Sequence, residues 1–373
     1  MPKVLVLREG RHCDFVADMV WMNLAVDKRI NLFCNSYPSF LFDTNGIYSS
    51  NIRYAHGSGF TLYGKLNKSE FIDCCVSDYE VVFDDYDYII YPSIRKFDKY
   101  FWRCLERFGG EKVIAIDGDD DECISWHSKY CIYFKRETSS IAYSSGIKPI
   151  QFFIPKFILE NIKNQTKEFT SKKYLLSPCD PRDRKTFIYT NEKDYFKQYK
   201  ESFFAYTEIR GGADALRHYE IIASGAVPYF GDLNLVPKYS LHNYPKKLQL
   251  EANNLYEKFK NKLINEEKFK LKYNYIQSSF YNWLIKHSEI YGSKIFYEKL
   301  INKPSNKKMQ FLNEKKLFWI NFHAYKKWHN QYLPSRVNSV ILIFNLKIFL
   351  FTFYSLIKSR IKEKWYKKMR TWD

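Results

Sequence analysis

The chain has 373 residues, 46% of them hydrophobic and 19% aromatic, enough apolar side chain to bury substantial cores and too much for intrinsic disorder. Its formal charge is +18, and the excess is uneven: residues 1–150 carry 18 basic against 21 acidic side chains, residues 151–305 carry 26 against 17, and residues 306–373 carry 15 against 3. The eight cysteines are scattered, with only Cys74 and Cys75 adjacent, which fits free thiols in a reducing cytosolic setting rather than a disulfide framework.

In chain order, Met1-Pro-Lys leads straight into an aliphatic run, so no signal peptide is expected. Lys3–Leu7 suits a buried parallel strand. The loop 8–14 follows, then a helix over about 15–25. Residues 30–34, 80–83 and 88–91 read as further strands, 97–108 as a helix closed by Gly109-Gly110, and 112–116 as a strand ending in Asp117-Gly-Asp-Asp-Asp121. This alternation implies a doubly wound α/β domain over residues 1–150, with ligands beyond the carboxyl ends of its strands. His12 and Asp14 on the first such loop, and Asp119 on the later one, are candidate general bases. The acidic cluster has two rival readings. Asp117/Asp119 or Asp119/Asp121 could hold Mg²⁺ or Mn²⁺ against a diphosphate, or the run could be an exposed turn capping the next helix. Cys123, His127 and Cys131 recur every four residues, but a fourth zinc ligand is missing.

Residues 149–155 begin a crossing into a second domain, 151–305. There 185–189 reads as the first strand and 192–200 as a short helix. The most informative stretch comes next. Ser202–Tyr206 is strand-like, Gly211-Gly212 breaks the pattern, 213–224 is a helix closed by Gly225, and 226–230 is a strand. A parallel βαβ unit follows, whose glycine turn opens onto a helix N-terminus suited to a diphosphate. Asp214, Arg217 and Glu220 are spaced i, i+3, i+6 on one face. Arg217 can fork onto phosphate oxygens, and Glu220 can accept from a ribose diol. The plainer alternative is an Arg217–Glu220 surface ion pair. Residues 248–262 and 268–287 read as amphipathic helices.

From Lys307 the composition turns basic, and 340–357 is a largely apolar run interrupted by Lys347. A central lysine disfavours clean spanning of a bilayer. An interfacial helix with Trp365, Trp372 and a basic skirt fits better, so residues 337–373 are expected to meet an anionic membrane surface. Nucleic-acid motifs are absent, and no nucleic-acid partner is expected.

Arg210-Gly-Gly-Ala-Asp-Ala-Leu-Arg-His-Tyr-Glu-Ile-Ile-Ala-Ser-Gly-Ala-Val-Pro-Tyr-Phe230 resembles the donor-binding segment of bacterial exostosin-like GT-B glycosyltransferases. It departs from their pattern at Ala213, where an aromatic residue is common. Fainter similarity lies in 14–20, 57–63, 116–120 and 133–137, so the resemblance covers roughly residues 1–260 and is specific only at 206–232. It implies two facing Rossmann-like domains, 1–150 for the acceptor and 151–305 for the donor; the composition of 306–373 adds a basic, helical, membrane-associating extension. The resemblance implies transfer of a sugar from a nucleotide-sugar to a hydroxyl, and the basic tail points to an acceptor at the inner face of the cytoplasmic membrane, a glycan or lipid-linked glycan. No metal or separate cofactor is expected. Gly211, Gly212, Arg217, His218 and Glu220 would bind the donor, and Lys135, Arg136 and Glu137 would line the opposite wall. The alternatives are a metal-dependent GT-A transferase using Asp117/Asp119 and a non-enzymatic membrane or nucleic-acid binding protein.

Overall fold

Six short strands lie parallel in one sheet: β1 (Lys3–Val6), β2 (Asn31–Cys34), β3 (Tyr88–Tyr91), β4 (Val113–Asp117), β5 (Ile132–Lys135) and β6 (Lys148–Pro149), in the order β2-β1-β3-β4-β5-β6. The computed structural model describes residues 1–10, 13–42, 60–67, 70–71, 74–168, 170–291 and 312–332, with positions 354, 357 and 361. Because β1 pairs with both β2 and β3, the winding reverses there, and a crevice opens beyond the carboxyl ends of these strands.

The central strands are apolar on both faces, as parallel strands between helical layers must be. Val4, Val6, Ile90, Ile114, Ile116 and Phe134 face one core, with Trp21 of α1 (Phe15–Val26). Leu5, Leu7, Ile89, Tyr91, Val113 and Ala115 face the other. That second layer includes Val81 of α2 (Asp78–Phe83) and Phe101 and Cys104 of α3 (Phe101–Phe108). A short helix, α4 (Ser140–Ser144), joins β5 to β6.

A smaller parallel sheet follows α5 (Lys156–Gln165): β7 (Tyr174–Leu176), β8 (Ser202–Thr207) and β9 (Val227–Phe230), with β8 central. Around it lie α6 (Glu192–Lys200), α7 (Leu216–Ala223), α8 (Lys246–Lys260) and α9 (Glu266–Glu289). The first core runs on into this unit through Phe153, Ile158, Phe204, Tyr219 and Phe280. The crossing is gripped from two sides. Phe152 N donates to Asp214 (2.7 Å), and the end of α9 reaches Phe152 O through His287 Nε2 (2.8 Å) and Ile154 O through Ser288 Oγ (2.6 Å).

Several elements differ from the sequence reading. Residues 80–83 lie in a helix because Ser77 and Glu80 form a reciprocal capping box, which outweighs the β-branched pair Val81-Val82. The helix expected from 97 starts at Phe101, since Tyr100 is left-handed at φ 65°. Residues 185–189 are no strand: Asp183 accepts from Lys185 N to open a 3₁₀ turn over Arg184–Thr186, and β7 is the first strand of the second sheet. Strands β5 and β6 escaped the sequence reading.

The last described helix, α10 (Glu314–Tyr332), packs on the six-stranded sheet. Asn321 accepts from Ile124 N (2.7 Å) and donates to Ile124 O (3.0 Å), Lys327 pairs with Glu122, and Leu317 and Ile320 join the second core. The region expected to be a membrane extension therefore begins as part of the body of the protein. No helix among the described residues is long and apolar enough to cross a membrane. The run 340–357 lies outside the described residues except for positions 354 and 357.

Candidate functional site

The carboxyl edge of the first sheet is ionic. Asp117, the last residue of β4, is fully buried. Its Oδ1 accepts from Lys135 Nζ (2.9 Å) and Asp119 N (3.1 Å), and its Oδ2 accepts from Tyr133 OH (2.6 Å). Arg95 stands among the aspartates, at 3.7 Å from Asp117, 3.1 Å from Asp119 and 2.8 Å from Asp121. A guanidinium thus occupies the position that an Asp-x-Asp metal reading requires for a cation, and the Asp117 oxygens are taken. Lys135, expected on a cleft wall, is instead the buried counter-ion of Asp117. The cause is its place as the last residue of β5, between β4 and β6, where a buried lysine must find a carboxylate or lose its charge.

Asp119 lies differently. It is part-exposed and lines a cavity of about 310 Å³ with Asp14, Lys96, Asp120, Arg136 and Phe152. Burial pushes its carboxyl pKa up, Arg95 pulls it back and Asp117 pushes it further, with a net shift upward. A carboxylate so placed is suited to take a proton from a hydroxyl in the cavity. Asp14 shares the cavity but is committed. It caps α1 through Ala17 N (3.1 Å) and accepts from Ser93 Oγ (2.6 Å) and Lys96 Nζ (2.7 Å). Burial raises its pKa, but Lys96 and these donors outweigh burial and hold it below the ordinary value. His12 lies outside the described residues.

The two sheets meet through Arg136 and Glu137. Arg136 is buried over the Phe152 ring (4.7 Å). Its Nε donates to Gly118 O (2.8 Å), its Nη1 to Glu137 Oε1 (3.2 Å) and Asp214 O, and its Nη2 to Asp120. Glu137 Oε1 also accepts from Asp214 N (3.0 Å). A Cβ at Gly212 would run into Glu137 and Arg136, and one at Gly211 into Asp120. The twin glycines therefore permit the loop before α7 to close against the first sheet. This is a different use from the open anion cradle expected of them. Arg136 and Glu137, expected on the wall of an open cleft, are instead buried and bonded to the 211–214 loop.

On α7, three side chains have three fates. His218 is fully buried: Nδ1 pairs with Thr207 Oγ1 (2.8 Å) and Nε2 with Ala213 O (2.9 Å). Burial outweighs the Ala213 hydrogen bond and lowers its pKa to about 4, so it is a neutral brace between strand and loop, with no nitrogen left for a ligand. Glu220 is also occupied, accepting from Thr61 Oγ1 and from Tyr195 OH (2.7 Å), and burial raises its pKa. The open ribose clamp expected of Glu220 is not the geometry found.

Arg217 alone of the three keeps unused chemistry. Its guanidinium lies over Phe187 (4.7 Å), and Nη1 is buried without a hydrogen-bond partner among the described residues. Burial works against its charge, yet Tyr199, Tyr195, Cys179 and Glu220 nearby hold its pKa above the ordinary value. A buried N–H without a partner costs about 1–3 kcal/mol, and an anionic oxygen would recover that cost.

No family model matches the chain, and no curated protein matches it either.

Arg95 and Lys96 escaped the sequence reading although they sit just past the carboxyl end of β3, where the fold makes any charge worth weighing. Thr61 meets Glu220 across 159 residues of sequence, and no local signal marks that contact. Cys123, His127 and Cys131 do not share a helix face. His127 lies in the 3₁₀ turn Trp126–Lys129 with Nδ1 against Ser125 Oγ (2.7 Å), and the Cys131 thiol donates to His127 O. Among the described residues no three His, Cys, Asp or Glu side chains gather as a metal set.

Proposed function

We propose that the chain is a glycosyltransferase of GT-B architecture, moving a sugar from a nucleotide-sugar to an acceptor hydroxyl. The observation that carries the reading is the buried Nη1 of Arg217, unpartnered among the described residues, in the first turn of the helix that follows β8. Two parallel sheets with adjoining carboxyl edges, and the likeness of 206–232 to a donor-binding segment, support it.

In this reading the leaving diphosphate meets Arg217, whose charge offsets the negative charge that grows as the glycosidic bond breaks. The acceptor hydroxyl enters the cavity beside Asp119, which takes its proton, while Arg136 and Glu137 hold the two halves in register. The pyrophosphate needs no metal in this scheme. The acceptor is a glycan or lipid-linked glycan at the inner face of the cytoplasmic membrane, reached by the basic residues 337–373.

The test is thermal protection by a panel of nucleotide-sugars, repeated with Arg217→Ala. At least one donor should protect the parent chain and not the variant, and transfer should fall by about 10²–10³. Equal protection and turnover in the variant would end this assignment.

A further inference from the structure

Helices α8 and α9 form a hairpin whose outer side carries a groove of about 370 Å³. Lys258 from α8 and Lys268 and Lys272 from α9 converge on it. None of the three ammonium groups makes an ion pair among the described residues, whereas neighbouring Lys270 is paired with Glu266 (2.5 Å). Lys268, Leu271, Lys272 and Tyr275 follow at i, i+3, i+4 and i+7, which places them on one stripe of α9. Leu263 at the hairpin tip, Leu271 and Tyr275 are 70%, 69% and 67% exposed, although Phe259 and Phe269 behind them stack at 3.9 Å in the core. Between 246 and 272 the hairpin has eight lysines against four glutamates.

Unpaired cations around a concavity, rimmed by bare leucine and tyrosine, match the polar and apolar layers of an anionic bilayer surface. We propose that the α8–α9 hairpin is a membrane-docking face. Lys258, Lys268 and Lys272 would meet lipid phosphate or carboxylate groups, and Leu263, Leu271 and Tyr275 would enter the headgroup layer. Charge complementarity selects this occupant over an apolar protein partner, which would leave three ammonium groups buried without counter-ions. The proposal stands independently of the transfer reaction and draws on no residue of 337–373.

The experiment uses the full chain with phosphatidylcholine vesicles, with and without phosphatidylserine. In sedimentation, the Lys258→Gln/Lys268→Gln/Lys272→Gln variant should bind the anionic vesicles about 100-fold more weakly than the parent, from roughly fivefold per lysine. These side chains are exposed, so the variant should melt like the parent. Lysine acetylation read by mass spectrometry supplies a local signal. Anionic vesicles should protect Lys258, Lys268 and Lys272, and neutral vesicles should not. Unchanged binding by the variant, or equal labelling with and without anionic vesicles, would overturn the proposal. Neither result depends on whether the chain transfers sugar.

Discussion

Replacing Arg136 with alanine tests how the two sheets are joined. The residue is 2% exposed and donates to Gly118 O, Glu137, Asp214 O and Asp120, so truncation strips donors from both edges at once. Glu137, also 2% exposed, would keep its hydrogen bond from Asp214 N but lose its counter-ion. Removing one partner of a buried pair costs about 3–5 kcal/mol, mostly as the desolvation of the charge left behind. At about 2–4 °C per kcal/mol for a unit of 150–250 residues, Arg136→Ala should lower Tm by roughly 6–20 °C in a calorimetric or circular-dichroism melt. The double variant Arg136→Met/Glu137→Gln removes the buried pair and should recover much of the loss, because Glu137 no longer leaves a buried charge without its counter-ion and Asp120 is solvent-exposed. A single variant melting within about 2 °C of the parent would refute this account of the junction, since such a shift is worth only about 1 kcal/mol or less.

Asp119→Asn should lower transfer by about 10²–10⁴ while thermal protection by the donor stays unchanged, if Asp119 takes the acceptor proton. Loss of donor protection in this variant would place the residue elsewhere. His218, whose folded pKa of about 4 lies below the unfolded value of about 6.5, binds its proton more readily in the unfolded chain. It therefore costs the parent stability as pH falls from about 6.5 to 4. The deficit of His218→Gln relative to the parent should narrow by about 1.4 kcal/mol per pH unit across that window, read as paired melts. A constant deficit would mean that the imidazole is not buried neutral. Lys172 Nζ donates to the carbonyls of Lys200, Ser202 and Gly225 (2.9, 2.8 and 2.7 Å), tying the end of α6 to the turn after α7. Lys172→Met should cost about 1–3 kcal/mol through these orphaned acceptors, and an unchanged melt would count against the tie.

The parts of the fold visible beforehand were those written in local pattern. Helix α6 has the bounds expected of it, Glu192 and Lys200, and its signals are local: Asn191 caps it and its apolar face repeats at helical spacing. Strand β3 and the unit around α7 were legible for similar reasons. The failures have equally local causes. Val81-Val82 signals a strand until Ser77 and Glu80 are seen to cap each other. Strand β5 hides because Ile132-Tyr-Phe-Lys135 ends in a lysine whose burial makes sense only once Asp117 is placed beside it.

At the candidate site, residue types were easier to read than their duties. Arg217 was singled out by its place after a glycine turn, and its unpartnered nitrogen keeps it there. Gly211 and Gly212 were also singled out, but what they make room for comes from Asp120, Arg136 and Glu137, some 75 to 90 residues earlier. Glu220 and His218 look identical in a sequence whether they face a ligand or brace a loop. Only the positions of Thr61, Tyr195, Thr207 and the Ala213 carbonyl decide between those uses.

The clasp between Asn321 and Ile124 gives the polypeptide a second point of attachment to its own beginning. A protease nick anywhere in 292–311 would then yield two fragments on a denaturing gel yet a single particle in solution. Helix α10 is thereby fastened to the six-stranded sheet and not to the helices of the smaller sheet that precede it in sequence.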